Sequence, residues 1–264
     1  VATLILGGGK MITLGGTAVL VAPTPPVSLP AATLLLSDGF GTGSQLWGEN
    51  FDDAYGASTY NGRWYTANAG GVFTKSGGLA VIPAGAGLEY VGAIRISGTV
   101  WDINGFADVG VLAIGFTASD AAIPFFVGLD GVNIDGAQHQ VFLRLTSGSK
   151  PAILRDHASN TTTEFAAAGV VAGTKNYLLR QVKVAGGAGG VTYELWEGTY
   201  DAGHTLAQIL AGMTKVDTIE VLTADGRSIR DKASAAVVFI QRPAGGPGSG
   251  SNATMAGIAW VSFV

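Results

Sequence analysis

From Ala31 onward, short apolar runs follow one another, each closed by glycine, asparagine, aspartate or a charge. "LEYVGAIRISGTVW" (88–101) and "DVGVLAIGFTA" (108–118) are the longest, and "HQVFLRLT" (139–146) follows. Runs of this length, rich in β-branched and aromatic residues and bounded by turn formers, predict strands. In "NYLLRQVKVA" (176–185), Leu178, Arg180, Val182 and Val184 fall on one face. Beyond "AGGAGG", Val191, Tyr193 and Leu195 alternate with Thr192, Glu194 and Trp196, so the two runs predict a hairpin. "AAVVFIQRP" (235–243) and "MAGIAWVSFV" (255–264) are apolar at successive positions, as expected of central strands. Only "HTLAQILAGM" (204–213) repeats at helical spacing, through Leu206, Ile209, Leu210 and Met213. The expected fold is an all-β antiparallel sandwich with at most one short helix.

The first thirty residues break this pattern. "VATLILGGGKMITLGGTAVLVAPTPPVSLP" offers brief extended apolar pieces separated by Gly-Gly-Gly and Gly-Gly, then prolines at 23, 25, 26 and 30. Proline fixes φ and pushes its predecessor toward extended geometry, so "APTPPVSLP" reads as a semi-rigid spacer. Leu4, Ile5, Leu6, Ile12, Leu14, Val19, Leu20 and Val21 are too apolar for a tail that stays in water. Such an arm is expected to lie on the main domain or to join a neighbouring subunit. The chain therefore divides into an extended arm with its spacer, residues 1–30, and a sandwich, residues 31–264. Residues 1–22 lack a basic flank, and Lys10 and two glycine clusters interrupt them, so they are read neither as a secretion signal nor as a membrane anchor.

Composition sharpens the picture. Charged residues make up 13% of the 264, about half the usual share. Charge is depleted where surfaces meet, so part of this surface is expected to be covered by other subunits, with a trimer among the homo-oligomers in view. A monomer kept soluble by hydroxyl and amide groups is the alternative. A net charge of −4 argues against nucleic acid, which needs a basic face. No apolar run approaches the ~18 residues of a membrane helix. The absence of cysteine removes disulfides, thiolate ligands and thiol nucleophiles.

"LLLSDGFGTG" (34–43), "NGRWYTANAGGVFTKSGGLAVIPAG" (61–85) and the hairpin "YLLRQVKVAGGAGGVTYELWE" (177–197), with a closing apolar strand, resemble the concanavalin A-like lectin/glucanase (laminin G-like) jelly roll. The resemblance spans about residues 33–264 and implies that fold, with sugar binding or glycan cleavage as expectations. Glucanases of that superfamily place Glu-x-Asp-x-x-Glu on one strand, bringing two carboxylates to about 5 Å. No glutamate here has an aspartate two places on. Glu194 and Glu197 in "ELWE" stand an odd number apart, which turns them to opposite faces, and a solvated rim is the simpler expectation for both.

Other chemistry is sparse. "ENFDD" (49–53) gathers Glu49, Asp52 and Asp53 on an expected loop. "DGVNIDG" (130–136) offers Asp130, Asn133 and Asp135 as hard oxygen donors suited to calcium, yet two turns around a short strand explain it without metal. No resident cofactor is expected, calcium being the one ion left open. His139, His157 and His204 have no zinc-ligand spacing, and "GASTY" (56–60) lacks the last glycine of a nucleophile elbow. Trp47, Tyr55 and Tyr60 cluster with Asp52 and Asp53 in a Gly- and Asn-rich stretch, the best carbohydrate site in the chain, though the same residue types build subunit contacts.

Three readings of function follow. The first is a non-enzymatic structural protein of a bacteriophage-like virion, a capsid decoration (cement) or tail-associated subunit attached to major capsid or tail proteins through the arm. The second is a lectin-like module or adhesin that binds glycans through Trp47, Tyr55 and Tyr60. A glycoside hydrolase or lyase comes third.

Overall fold

The structure, a computed structural model, describes residues 27–38, 56–57, 64–66, 74–82, 90–96, 108–118, 125–133, 138–156, 161–183, 191–221, 233–242 and 253–263. In chain order the strands are β1 (Ala32–Asp38), β2 (Gly56–Ala57), β3 (Trp64–Thr66), β4 (Thr74–Ser76), β5 (Leu79–Ile82) and β6 (Tyr90–Ile96). Then come β7 (Asp108–Thr117), β8 (Phe125–Asn133), β9 (Gln138–Leu145), β10 (Ala152–Asp156), β11 (Thr161–Glu164), β12 (Thr174–Lys183) and β13 (Val191–Thr199). A short helix, α1 (Leu206–Ala211), precedes β14 (Thr214–Val221), β15 (Ala233–Arg242), β16 (Ala253–Met255) and β17 (Gly257–Phe263).

Two sheets result. One runs β14-β13-β12-β7-β16-β5-β4, with β17 also on β7 and β1 outside β17; the other runs β11-β10-β9-β8-β15-β6-β3-β2. Among the described strands, pairing is antiparallel apart from the short β2–β3 contact. Between the sheets lies the main core, in which Val111, Tyr177, Leu195 and Trp260 of the first sheet meet Val127, Leu143 and Ile153 of the second. This is an all-β sandwich with one short helix.

A second apolar layer covers the outer face of the larger sheet. Leu112, Ile114, Leu178, Trp196, Val261 and Phe263 project outward there, and Ile209 and Met213 from the α1 region pack onto them with Leu29 and Ala32. This explains why β7 and β17 are apolar at successive positions: one face meets the opposite sheet and the other meets α1 and the chain entering β1. As the apolar runs predict, β15 lies between β8 and β6, and β17 between β7 and β1.

Two details depart from the sequence reading. The last strand is broken at Ala256, whose N–H donates to the Ile114 carbonyl (2.9 Å). The break faces a bulge in β7, where Gly115 adopts φ +59° and the register with β12 shifts between Lys175 and Tyr177. Buried Asn176 holds the bulge, accepting from the Gly115 N–H at 2.9 Å and donating to the Thr199 carbonyl at 2.8 Å. "DGVN" (130–133) is strand, not turn: Asp130 pairs with Gln140 and Val237 inside the sheet, and Asn133 ends β8. Within the expected spacer, Leu29 packs in the outer layer, while Val27, Ser28 and Ala31 are exposed.

At six residues α1 is too short to persist by itself, so its start matters. Thr205 and Gln208 form a reciprocal capping box: the Thr205 N–H donates to Gln208 Oε1 (2.8 Å), and the Gln208 N–H donates to Thr205 Oγ1 (3.3 Å). Thr205→Ala is expected to cost about 1 kcal/mol in urea unfolding.

Candidate functional site

Four charged side chains converge on the outer face of the larger sheet. Arg180 of β12 lies opposite Glu194 of β13, and its Nη1 donates to Glu194 Oε2 at 2.8 Å. Its Nε donates to both Asp108 oxygens at 2.9 and 3.0 Å, and its Nη2 also donates to Asp108. Lys215 Nζ donates to Glu194 Oε1, while Trp196 Nε1 donates to Glu194 Oε2 at 3.0 Å. The guanidinium also stacks on Phe263, 4.9 Å from the ring centroid. Strands β7, β12, β13 and β14 each contribute one charge, and the four cancel.

Electrostatics fix the protonation states. Burial raises the Glu194 carboxyl, but hydrogen bonds from Lys215 and Trp196 and the charges of Arg180 and Lys215 outweigh it, so its pKa falls below the ordinary glutamate value. Burial opposes the charge on Arg180 as well, and the hydrogen bonds and charges of Asp108 and Glu194 overcome it. Glu194 is thus held ionised at neutral pH, with both oxygens occupied. A carboxylate in that state is a poor proton donor, and the arrangement acts as a four-strand clasp.

Beside the clasp runs a groove of about 1000 Å³. One wall is residues 27–32 with Leu34; the other is Leu206, Ala207, Leu210, Ala211 and the turn into β14. Met213 lies in the groove, and Lys215 lines its end while reaching Glu194, so clasp and groove share that residue. The walls are apolar, and Val27 and Leu34 remain exposed at 64% and 40%.

Sequence reasoning missed Arg180, Asp108 and Lys215, and a wet rim does not describe Glu194, which is 8% exposed. The predicted hairpin contained a signal, because its register sets Arg180 directly across from Glu194. The two glutamates do lie on opposite faces: Glu197 sits across from the core residue Tyr177 and pairs with Lys175 at 3.2 Å. Trp47, Asp52, Asp53, Tyr55, Tyr60 and Asp135 lie outside the described residues, as do Leu4, Ile5, Leu6, Ile12, Leu14, Val19, Leu20 and Val21. Asp130 and Asn133 are placed as strand positions of β8 only. Among the described residues, no three acidic or histidine side chains stand close enough to share a metal ion.

Fold and site define an all-β sandwich with an apolar groove on the outer face of its larger sheet. No protein-family model matches the chain, and no curated protein matches it either. Among solved structures it is similar to the CBM2 module of the evolved Dit protein of Lactobacillus casei BL23 phage J-1, at 11% identity and a TM-score of 0.43 over 90% of this chain and 98% of that one. It is likewise similar to a pseudo β-1,3-glucanase of Mycobacterium tuberculosis, at 11% identity and TM-score 0.46 over 88% and 99% of the two chains. A third is the endo-β-1,4-glucuronan lyase of the fungus Trichoderma reesei, at 12% identity and TM-score 0.47 over 88% and 96%. These are likenesses of overall build; the activities in those names are properties of those proteins.

Proposed function

We propose that the protein is a non-enzymatic structural subunit of a bacteriophage-like virion, a capsid decoration or tail-associated module, attached through its N-terminal arm. The observation that carries this reading is the groove: the arm reaches the sandwich at Val27, which itself forms part of an apolar, open channel. Apolar burial is the main driving force available to a chain with 13% charged residues, and such a groove provides it without titratable chemistry. The charge cluster supports the non-enzymatic part, since Asp108 and Glu194 are committed to Arg180 and Lys215.

The test is co-sedimentation with particles of the phage that encodes the protein. The full chain is expected to travel with the particles. A chain lacking residues 1–26 keeps Leu29 and every described residue of the outer layer, so its unfolding free energy should stay within about 0.5 kcal/mol while it remains at the top of the gradient. Undiminished particle binding by that truncation would refute the reading.

A further inference from the structure

We infer that the groove between residues 27–34 and α1 is the receptor for the apolar arm of a second copy of this chain, so that copies link by exchanging arms. The inference rests on the attachment reading above and names the partner of the same groove. Its chemistry matches the arm. Leu29, Ala32, Leu206, Leu210 and Met213 are among the lining residues, and Lys215, the one charged side chain of the described lining, already has Glu194 as its counterion. An occupant bearing charge would lose hydration there without gaining a partner. Apolar pieces of four to six residues, "VATLIL", "MITL" and "TAVLV", precede the wall in the same chain. In extended form such a piece is about 13–20 Å long.

The prolines decide whose arm enters. Pro23, Pro25 and Pro26 lie just ahead of Val27, which is part of the wall. Proline fixes φ and disfavours compact geometry in the residue before it, so "APTPP" is a poor sequence for reversing the chain. Entry into the chain's own groove would require such a reversal, and entry into a neighbour's would not. The outer edge of β1 favours the same partner: among the described residues β1 pairs with β17 alone, leaving one side of its backbone ladder open to an added strand. Reciprocal exchange closes a dimer, and head-to-tail exchange gives a ring where the rotation closes and an open filament where it does not.

The chain contains no cysteine, so introduced thiols report proximity without background. Ala207 is exposed on the groove wall, and Ala207→Cys should leave the fold intact. Full-length Ala207→Cys protein is mixed with differently tagged full-length chains carrying Ile5→Cys, Leu14→Cys or Val19→Cys, under mild oxidation. A mixed disulfide dimer from at least one pair, well above the same-variant dimers, is the expected result. In parallel, Ala207→Glu should weaken self-association at least about tenfold in sedimentation velocity, with an unchanged unfolding midpoint. An internal disulfide in a monomeric double variant, with no product in the mixtures, would show that the arm occupies its own groove and would overturn the inference. So would a wild-type chain that is monomeric at about 100 µM with no cross-link in any pair. Attachment is scored separately: if exchange fails while removal of residues 1–26 still abolishes particle binding, the attachment reading stands and the inference alone falls.

Discussion

Replacing Arg180 by methionine is expected to cost about 3–5 kcal/mol of unfolding free energy at pH 7, measured by urea denaturation. The side chains of Arg180, Asp108 and Glu194 are only 11%, 12% and 10% exposed. Removing the guanidinium leaves Asp108 without its cation and Glu194 with Lys215 and Trp196 alone. The cost is mainly that of stranded buried charge, so the triple variant Arg180→Met, Asp108→Asn, Glu194→Gln should recover most of it. Acid tests the same account. The folded-state pKa of Glu194 is depressed, so its contribution is fully present above the ordinary glutamate range and is lost as pH falls through the folded value. In Arg180→Met the Glu194 carboxylate has lost one of its cations and gains more from protonation, so the gap between the two proteins should be widest at neutral pH and narrow below about pH 4. A gap that does not change with pH would show that lost packing on Phe263, not charge, sets the cost.

The second large effect lies at the bulge. Gly115 sits at φ +59°, where an L side chain costs about 1–2 kcal/mol, and an added Cβ would stand 2.8 Å from both Ala256 Cβ and Tyr200 Cε2. Neither neighbour is the loose end of a flexible chain. Gly115→Ala is therefore expected to lose about 3 kcal/mol or more, conformational and steric terms together. Gly77 supplies the control, with φ +60° and nothing within 4 Å of an added Cβ. Gly77→Ala should show the conformational part alone, about 1–2 kcal/mol. Equal losses at the two sites would refute the steric contribution.

Much of the fold was written in local patterning, and its gaps have physical reasons. β7, β12, β13, β15 and α1 each carry their signal, an apolar run or a periodicity, within one continuous stretch, so sequence alone located them. The break at Ala256 did not show, because its cause lies in another strand: Gly115 and Asn176 create the bulge that receives it. "DGVN" looked like a turn because aspartate and glycine favour one, yet pairing on both sides by β9 and β15 holds it as strand. The clasp was half legible, since the hairpin register gives Arg180 and Glu194, whereas Asp108 is 72 residues away along the chain. The groove was not legible at all. Its walls come from residues 27–34 and 206–215, and no local pattern announces that two such distant stretches will face each other.

The far wall of the groove is a connection, not a strand. α1 occupies the link between β13 and β14, which are neighbours in the same sheet. Links of that kind tolerate changes of length and sequence, because the ladder on either side is set by the strands themselves. Related sandwiches could therefore lengthen, shorten or recolour this wall and change which copies recognise one another, leaving both sheets in their present alignment. Where copies exchange arms as inferred above, their compatibility would then drift faster than the architecture, with a single loop setting it.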